Sequence, residues 1–279
     1  MKRTLFLALL SALVAMALLS TAAGAKTVAE PVLLTAAGSG ANLGITRLLA
    51  QAFMKKNPGV TIAVPGSIGS KGAVKAVAEN AITLGLLSRP LQKDELALGL
   101  TVKPCAQVGI VIAAHPTVKE EGVTSAELID IFKGTKFRWK DGQQIIVLAR
   151  EKTDSGFLVL REKIPGFQEV YLESLAANRW TIHFTDQEAN EAIAKTPHAI
   201  GVSDLGMIKA EGLRIKPLKL DGRLPSPENL QKGRYPLVRE LSFLYRQQGL
   251  AKEGKAFLDF VGSAAGRKIL KANGYLPLK

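Results

Sequence analysis

The chain holds one cysteine and three histidines, and aromatic residues make up only 6% of it. One cysteine excludes an intrachain disulfide. Cys105 sits in the apolar run Pro104 to Ala114, which fits a buried, inert thiol. His115, His183 and His198 fall in different elements without metal-ligand spacing, so neither a metal nor a cofactor is expected. Basic blocks are missing too: Lys71, Lys75, Lys93, Lys119, Lys133 and Lys152 are scattered among acids, with no aromatic platform between them. That pattern argues against nucleic acid as a partner. The strained Gly-x-Ser-x-Gly elbow of serine hydrolases does not occur, and no histidine is placed by sequence to serve Ser155. An enzyme is not expected.

Long apolar runs are confined to the start. Met1-Lys2-Arg3 is a positive head, Leu5 to Leu19 is almost unbroken and apolar, and Ala23-Gly24-Ala25 has the small-x-small pattern of a cleavage site. The run is shorter than the roughly 20 residues of a membrane span. Residues 1–25 are therefore expected to be a cleaved secretory signal, with a periplasmic, soluble product beginning at Lys26. No cysteine near the cleavage site suits a lipid anchor. A hydrophobic share of 47% is that of a globular chain long enough for one large or two medium α/β domains. Formal net charge is +13, a field that would steer anions inward.

What the chain does contain is three Gly/Ser turns, each between an apolar run and a helix pattern. They are Gly38-Ser39-Gly40-Ala41-Asn42, Gly66-Ser67-Ile68-Gly69-Ser70-Lys71-Gly72 and Thr153-Asp154-Ser155-Gly156-Phe157. The preceding runs, Val32 to Ala36, Val60 to Val64 and Ile145 to Ala149, read as strands. A helix start leaves N–H groups unpaired and carries about half a positive charge. Serine adds a hydroxyl, and glycine lets an anion approach the backbone. Any one such turn can be an ordinary cap. Three together point to an oxyanion receptor.

The rest of the chain alternates strands and helices. Ile45, Leu48, Leu49, Ala52 and Phe53 recur at helical spacing before Asn57-Pro58-Gly59 ends the segment. Thr83 to Leu87 is a strand, and Val108 to Ala113 is apolar on both faces, as in a buried one. Thr124-Ser125-Ala126-Glu127 is a capping box, and Thr185-Asp186-Gln187-Glu188 caps a further helix. Ala199–Val202 and Leu213–Leu220 read as strands. Ser226–Gln231, Ala251–Gly262 and Ser263–Asn273 read as helices around a strand at Leu241–Tyr245. Parallel α/β units bind ligands at the carboxyl ends of their strands, where all three turns stand.

These segments resemble the phosphate-binding component of bacterial phosphate ABC transporters, within the type 2 periplasmic-binding-protein superfamily. The resemblance is carried by Gly38-Ser39-Gly40, Asn57-Pro58-Gly59-Val60, Gly66-Ser67 through Lys75, and Ser88-Arg89-Pro90-Leu91. It continues through Arg150 with Ser155-Gly156, Ala199 to Val202, Asp221-Gly222, Gly233 to Arg239, Phe257 to Val261, and Gly274 to Leu278. It implies an α/β fold of two lobes joined by two crossover strands, near Val108–Ala113 and Leu213–Leu220, with the ligand in the cleft. Lobe 1 would comprise 26–110 and 216–279, and lobe 2 residues 111–215. The implied ligand contacts are Ser39, Gly40, Ala41 and Asn42; Ser70, Lys71 and Gly72; Ser88 and Arg89; and Arg150, Asp154, Ser155, Gly156 and Phe157. The implied partners are phosphate or a related oxyanion and an inner-membrane ABC permease, and the receptor would be a monomer. The same fold could instead hold sulfate, a molybdate-like anion or a small acid, or act as a sensory module.

Three departures from the family pattern bear on the ligand. Arg89 stands where many members carry an aspartate that accepts the proton of hydrogenphosphate. Such an acceptor excludes fully ionised sulfate, because two unprotonated acceptors repel. Phe157 replaces a threonine, leaving only its backbone N–H, and Arg150 is one residue further from Ser155 than usual. Asp154 is either the substitute acceptor or a plain helix cap. Arg89 and Arg239 could neutralise the anion or belong to surface ion pairs. Lys71 opposes the dipole of the helix it starts, which suits a nearby anion or a solvated side chain.

Overall fold

Apolar, β-branched runs form the strands, and the short polar turns after them release the chain into helices. The computed structural model describes residues 31–278; the expected leader, residues 1–25, lies outside them. Among the described residues no helix is long and apolar enough to cross a membrane.

Strand β1 (Val32–Gly38) lies parallel between β2 (Val60–Ala63) and β3 (Leu84–Leu87). On the far side of β3 runs antiparallel β10 (Val238–Tyr245), and beyond it antiparallel β4 (Thr101–Ala114). β4 is longer than the run expected at Val108–Ala113, and it changes partners midway. Thr101 to Gly109 face β10, whereas Ile110 to Ala114 face β8 (Ala199–Asp204). β6 (Ile146–Arg150) and β7 (Thr181–His183) follow β8 in parallel. β9 (Lys216–Leu220) pairs with Ile112–Ala114 and with the short β5 (Gly122–Val123); β11 (Leu276–Pro277) pairs with Ala106–Gln107.

Ten helices are described: α1 (Gly40–Met54), α2 (Gly69–Ala78), α3 (Ser125–Lys133), α4 (Ser155–Lys163), α5 (Phe167–Ala176), α6 (Asp186–Lys195), α7 (Leu205–Ala210), α8 (Pro227–Gln231), α9 (Lys252–Gly262) and α10 (Ala264–Ala272). The capping box expected ahead of α3 is present: Thr124 accepts from the Glu127 N–H, and Glu127 accepts from the Thr124 N–H at 2.9 Å. Thr185 and Glu188 make the same reciprocal pair ahead of α6.

From Val32 onward the chain is one compact body built on two main cores. In the first, Leu43, Ile45, Leu49 and Phe53 of α1 pack with Leu34, Leu86, Phe243 and Phe257. In the second, Phe132, Phe157, Phe167 and Tyr171 pack with Ile112, Ile200 and Leu218. Each of these fully buried side chains contributes roughly 1.5–3 kcal/mol by leaving water. Leu213–Leu220, expected as the second crossing, does not carry the chain back: Leu218, Leu220, Leu230, Tyr235 and Leu237 all belong to the second core. The chain rejoins the first core with β10, so the buried side chains between 218 and 237 belong to the second core.

Candidate functional site

The carboxyl ends of β1, β3, β6 and β7 open toward one cavity of about 420 Å³. Each end is followed by a turn that the local sequence makes tight. Gly38 has φ +153°, and a Cβ there would come within 2.3 Å of the Leu86 carbonyl oxygen and 2.9 Å of Ala73 Cβ. Only glycine lets β1, β3 and α2 approach so closely. Ser39, Gly40, Ser70, Lys71, Arg89, Arg150, Asp154 and Ser155 line the cavity. The starts of α1, α2 and α4, far apart in sequence, therefore share one space.

Four hydroxyls meet at its wall, three of them on residues that line it. Ser88, at the end of β3 and 2% exposed, lies 2.6 Å from Ser39 Oγ and 2.8 Å from Ser155 Oγ. The Ser88 N–H also donates to Ser70 Oγ at 3.3 Å. Ser155 Oγ accepts from Arg239 Nη1 at 3.0 Å. Arg239 enters from β10, is 4% exposed and donates through Nη2 to Asp204. It is thus buried behind Ser155, not a member of a surface ion pair.

The second guanidinium is Arg150, 6% exposed at the end of β6. Its Nε and Nη2 donate to Asp154 Oδ2 at 3.1 and 2.7 Å. The extra residue between Arg150 and Ser155 therefore places Asp154, not Arg150, next to the helix start. Asp154 Oδ1 caps α4 by accepting from the Gly156 and Phe157 N–H groups at 2.9 and 3.0 Å. Asp154 is thus a helix cap, and its second oxygen is held by arginine. The buried Arg150 Nη1 and Arg239 Nε have no protein partner. A buried donor left unpaired costs about 1–3 kcal/mol; Arg150 lines the cavity, whereas Arg239 reaches it only through Ser155.

Of the remaining expected residues, Asn42, Ala41, Gly72 and Phe157 do not line the cavity. Asn42 is fully buried; its Nδ2 donates to the Leu87 and Ser242 carbonyls, and its Oδ1 accepts from Thr46. Ala41 belongs to the first core, and Gly72 packs over Ile68. Phe157 stacks on Tyr171 with ring centroids 4.6 Å apart and meets Phe132 edge-on. Where a threonine would offer a hydroxyl, this chain invests in the aromatic core. Arg89 lines the cavity, yet both terminal nitrogens donate to Glu95 at 2.7 Å. That pair holds the Glu95 carboxyl below its ordinary range, the Arg89 hydrogen bond outweighing burial. Lys71 stands exposed at the mouth.

Sequence reasoning passed over Asp186. It is the first residue of α6, and its side chain is 15% exposed. Its carboxylate lies 3.8 Å from Arg150 Nη2 and 3.9 Å from Arg239 Nη2. It also abuts α1: a Cβ on Gly40 would fall 2.5 Å from Asp186 Oδ2. Burial raises its carboxyl above the ordinary range, helped by Asp154 and opposed by Arg150 and Arg239. For Arg150, burial acts against the charge, but Asp154 and Asp186 outweigh it and keep the guanidinium protonated. Two guanidiniums thus face three carboxylates. The basic balance of the whole chain is not reproduced at the cavity floor. The available signal was Ile182-His183-Phe184 before Thr185-Asp186, a fourth strand followed by a turn and a helix start.

Residues 20–265 match the family model described as a PBP superfamily domain. The phosphate-binding protein PstS of Bacillus subtilis is 28% identical over 253 residues, covering 88% of this chain and 80% of that protein. Its namesake from Borreliella burgdorferi is 24% identical over 235 residues, covering 81% of this chain and 82% of that protein. Among solved structures, a phosphate-bound substrate-binding protein assigned to a phosphate ABC transporter of Clostridium perfringens superposes with TM-score 0.77. It is 25% identical and covers 88% of this chain and all of its own. A phosphate transport receptor from Vibrio cholerae shares the fold, with TM-score 0.61 at 20% identity over 87% of this chain and 99% of its own.

Proposed function

The chain belongs to the PBP superfamily, and on that premise we propose that it is an exported solute-binding protein that captures phosphate for an ABC importer. The observation that carries this is the cavity itself. Serine hydroxyls from three helix starts and the Arg150 guanidinium line it, with Arg239 buried behind Ser155 and no catalytic constellation beside them among the described residues. An oxyanion suits that donor set because each oxygen accepts several hydrogen bonds and meets the positive ends of the helices. Charge-assisted bonds contribute roughly 1.5–3 kcal/mol each, so a handful suffices for the roughly 12 kcal/mol of a nanomolar complex after desolvation.

The relatives named for phosphate binding support the ligand, and the expected leader supports a periplasmic site of action. The two cores would act as lobes, 32–109 with 238–279 and 110–237, hinged where β4 and β10 pass between them. The described arrangement would be the closed one, and opening would draw Arg150, Asp154 and Ser155 away from Ser39 and Ser70. The closed, monomeric receptor would then meet an inner-membrane permease.

Calorimetric titration of ligand-stripped protein with phosphate tests the proposal. Tight binding is expected, and Ser70→Ala combined with Ser155→Ala should weaken it at least tenfold. Unchanged affinity in the double variant would sink the assignment of the site.

A further inference from the structure

We propose that Asp186 is the proton partner of the bound oxyanion, sharing one hydrogen with it and so favouring a protonated anion over a fully ionised one. The inference rests on reading the cavity as an oxyanion site. It follows from asking which acceptor is left to face a ligand proton. Arg89 occupies the position after Ser88 and is itself a donor, bound at both ends to Glu95. Asp154 has Oδ1 filled by two backbone N–H groups and Oδ2 by two guanidinium hydrogens. Asp204 is fully buried, caps α7 through the Met207 N–H and holds Arg239. Glu151 lies along the cavity wall but makes no ion pair with either guanidinium.

Asp186 differs from all of these. It lines the cavity and lies between the two guanidiniums, outside direct hydrogen-bond distance of both. Its carboxylate also sits against the start of α1 at Gly40. The charged groups facing it are Arg150 and Asp154 from β6 and its turn, Arg239 from β10 and Asp204 from β8; Glu211 stands beyond Gln187. With Asp186 ionised, Arg150, Arg239 and Lys71 stand against Asp154, Asp186, Asp204 and Glu151 while the Arg89–Glu95 pair cancels, which leaves one surplus negative charge, a poor host for an anion. One proton, brought by the ligand or held by Asp186, removes the surplus and turns a repulsive oxygen–oxygen contact into a hydrogen bond.

The direction with pH follows. Hydrogenphosphate carries its own proton into the site. Sulfate carries none near neutrality, so it binds only as Asp186 is protonated, and its affinity rises as pH falls. The test is competition of inorganic sulfate against inorganic phosphate on ligand-stripped protein, at about pH 8 and about pH 5.5. Wild-type protein and Asp186→Asn are compared, with thermal unfolding checking that the variant folds. The wild type should prefer phosphate at least tenfold at the higher pH and less at the lower. The side-chain amide of the variant can donate to any oxyanion, so the preference should drop at least tenfold at the higher pH and lose its pH dependence. A variant keeping the wild-type preference and pH profile would overturn the role of Asp186. If the variant does not fold, the wild type decides: a preference that fails to narrow between the two pH values overturns it. Failure of wild-type protein to bind phosphate at either pH would instead overturn the oxyanion reading, and this inference with it.

Discussion

Ser88 shows how little of a residue's role lies in its own neighbourhood. In sequence it is a serine ending an apolar strand; in the fold its hydroxyl joins Ser39 and Ser155, residues 49 and 67 positions away. Arg239 was obscured for a related reason. The strand pattern read from sequence began at Leu241, so Arg239 fell outside it, whereas β10 starts at Val238 and turns Arg239 inward to Ser155. Cys105 was simpler, because an apolar run on both sides predicts burial without knowledge of partners. The thiol is 8% exposed and donates to the Leu241 carbonyl, and burial pushes its pKa up to about 12. It should therefore resist thiol reagents at neutral pH and react fully in denaturant. Rapid labelling of the native protein would contradict that environment.

Among the elements, those with written start signals were legible. Thr124 and Thr185 each sit three residues before a glutamate, and both boxes form. α5 was not legible: Gly166 before it offers no side-chain cap, and Phe167 and Tyr171 hold it by packing against Phe132 and Phe157. The two boxes permit a paired experiment. Thr124→Ala and Thr185→Ala should each lower stability by about 1 kcal/mol in chemical denaturation. Only Thr185→Ala should also weaken phosphate binding, severalfold, because the start of α6 positions Asp186 beside Arg150 and Arg239. Equal effects on binding would mean that α6 has no special tie to the cavity.

For the whole molecule, the decisive strand is β4. Its first nine residues serve one core and its last five the other, and β10 provides the only other passage seen among the described strands. Two adjacent strands make a hinge that bends without breaking either core. Small-angle scattering should accordingly show a smaller radius of gyration with phosphate than in stripped protein. Thermal stability should rise as well, by about 2.7 kcal/mol at a hundredfold excess over Kd. Scattering curves that coincide despite tight binding would rule out closure as part of capture.

Local physics is what the sequence settled alone. Apolar periodicity, glycine and serine turns and capping boxes act within a few residues, so strands, most helices and three of the helix starts at the cavity could be read directly. Tertiary structure alone decided which charges meet. Arg150 with Asp154, Asp186, Asp204 and Arg239 come from four different places in the chain order and are brought within about one ion-pair distance by sheet order. It likewise decided that the buried side chains between 218 and 237 join the second core. Strand pairing across long loops carries no local signal, and electrostatic character depends on burial and neighbours that exist only once the chain is folded.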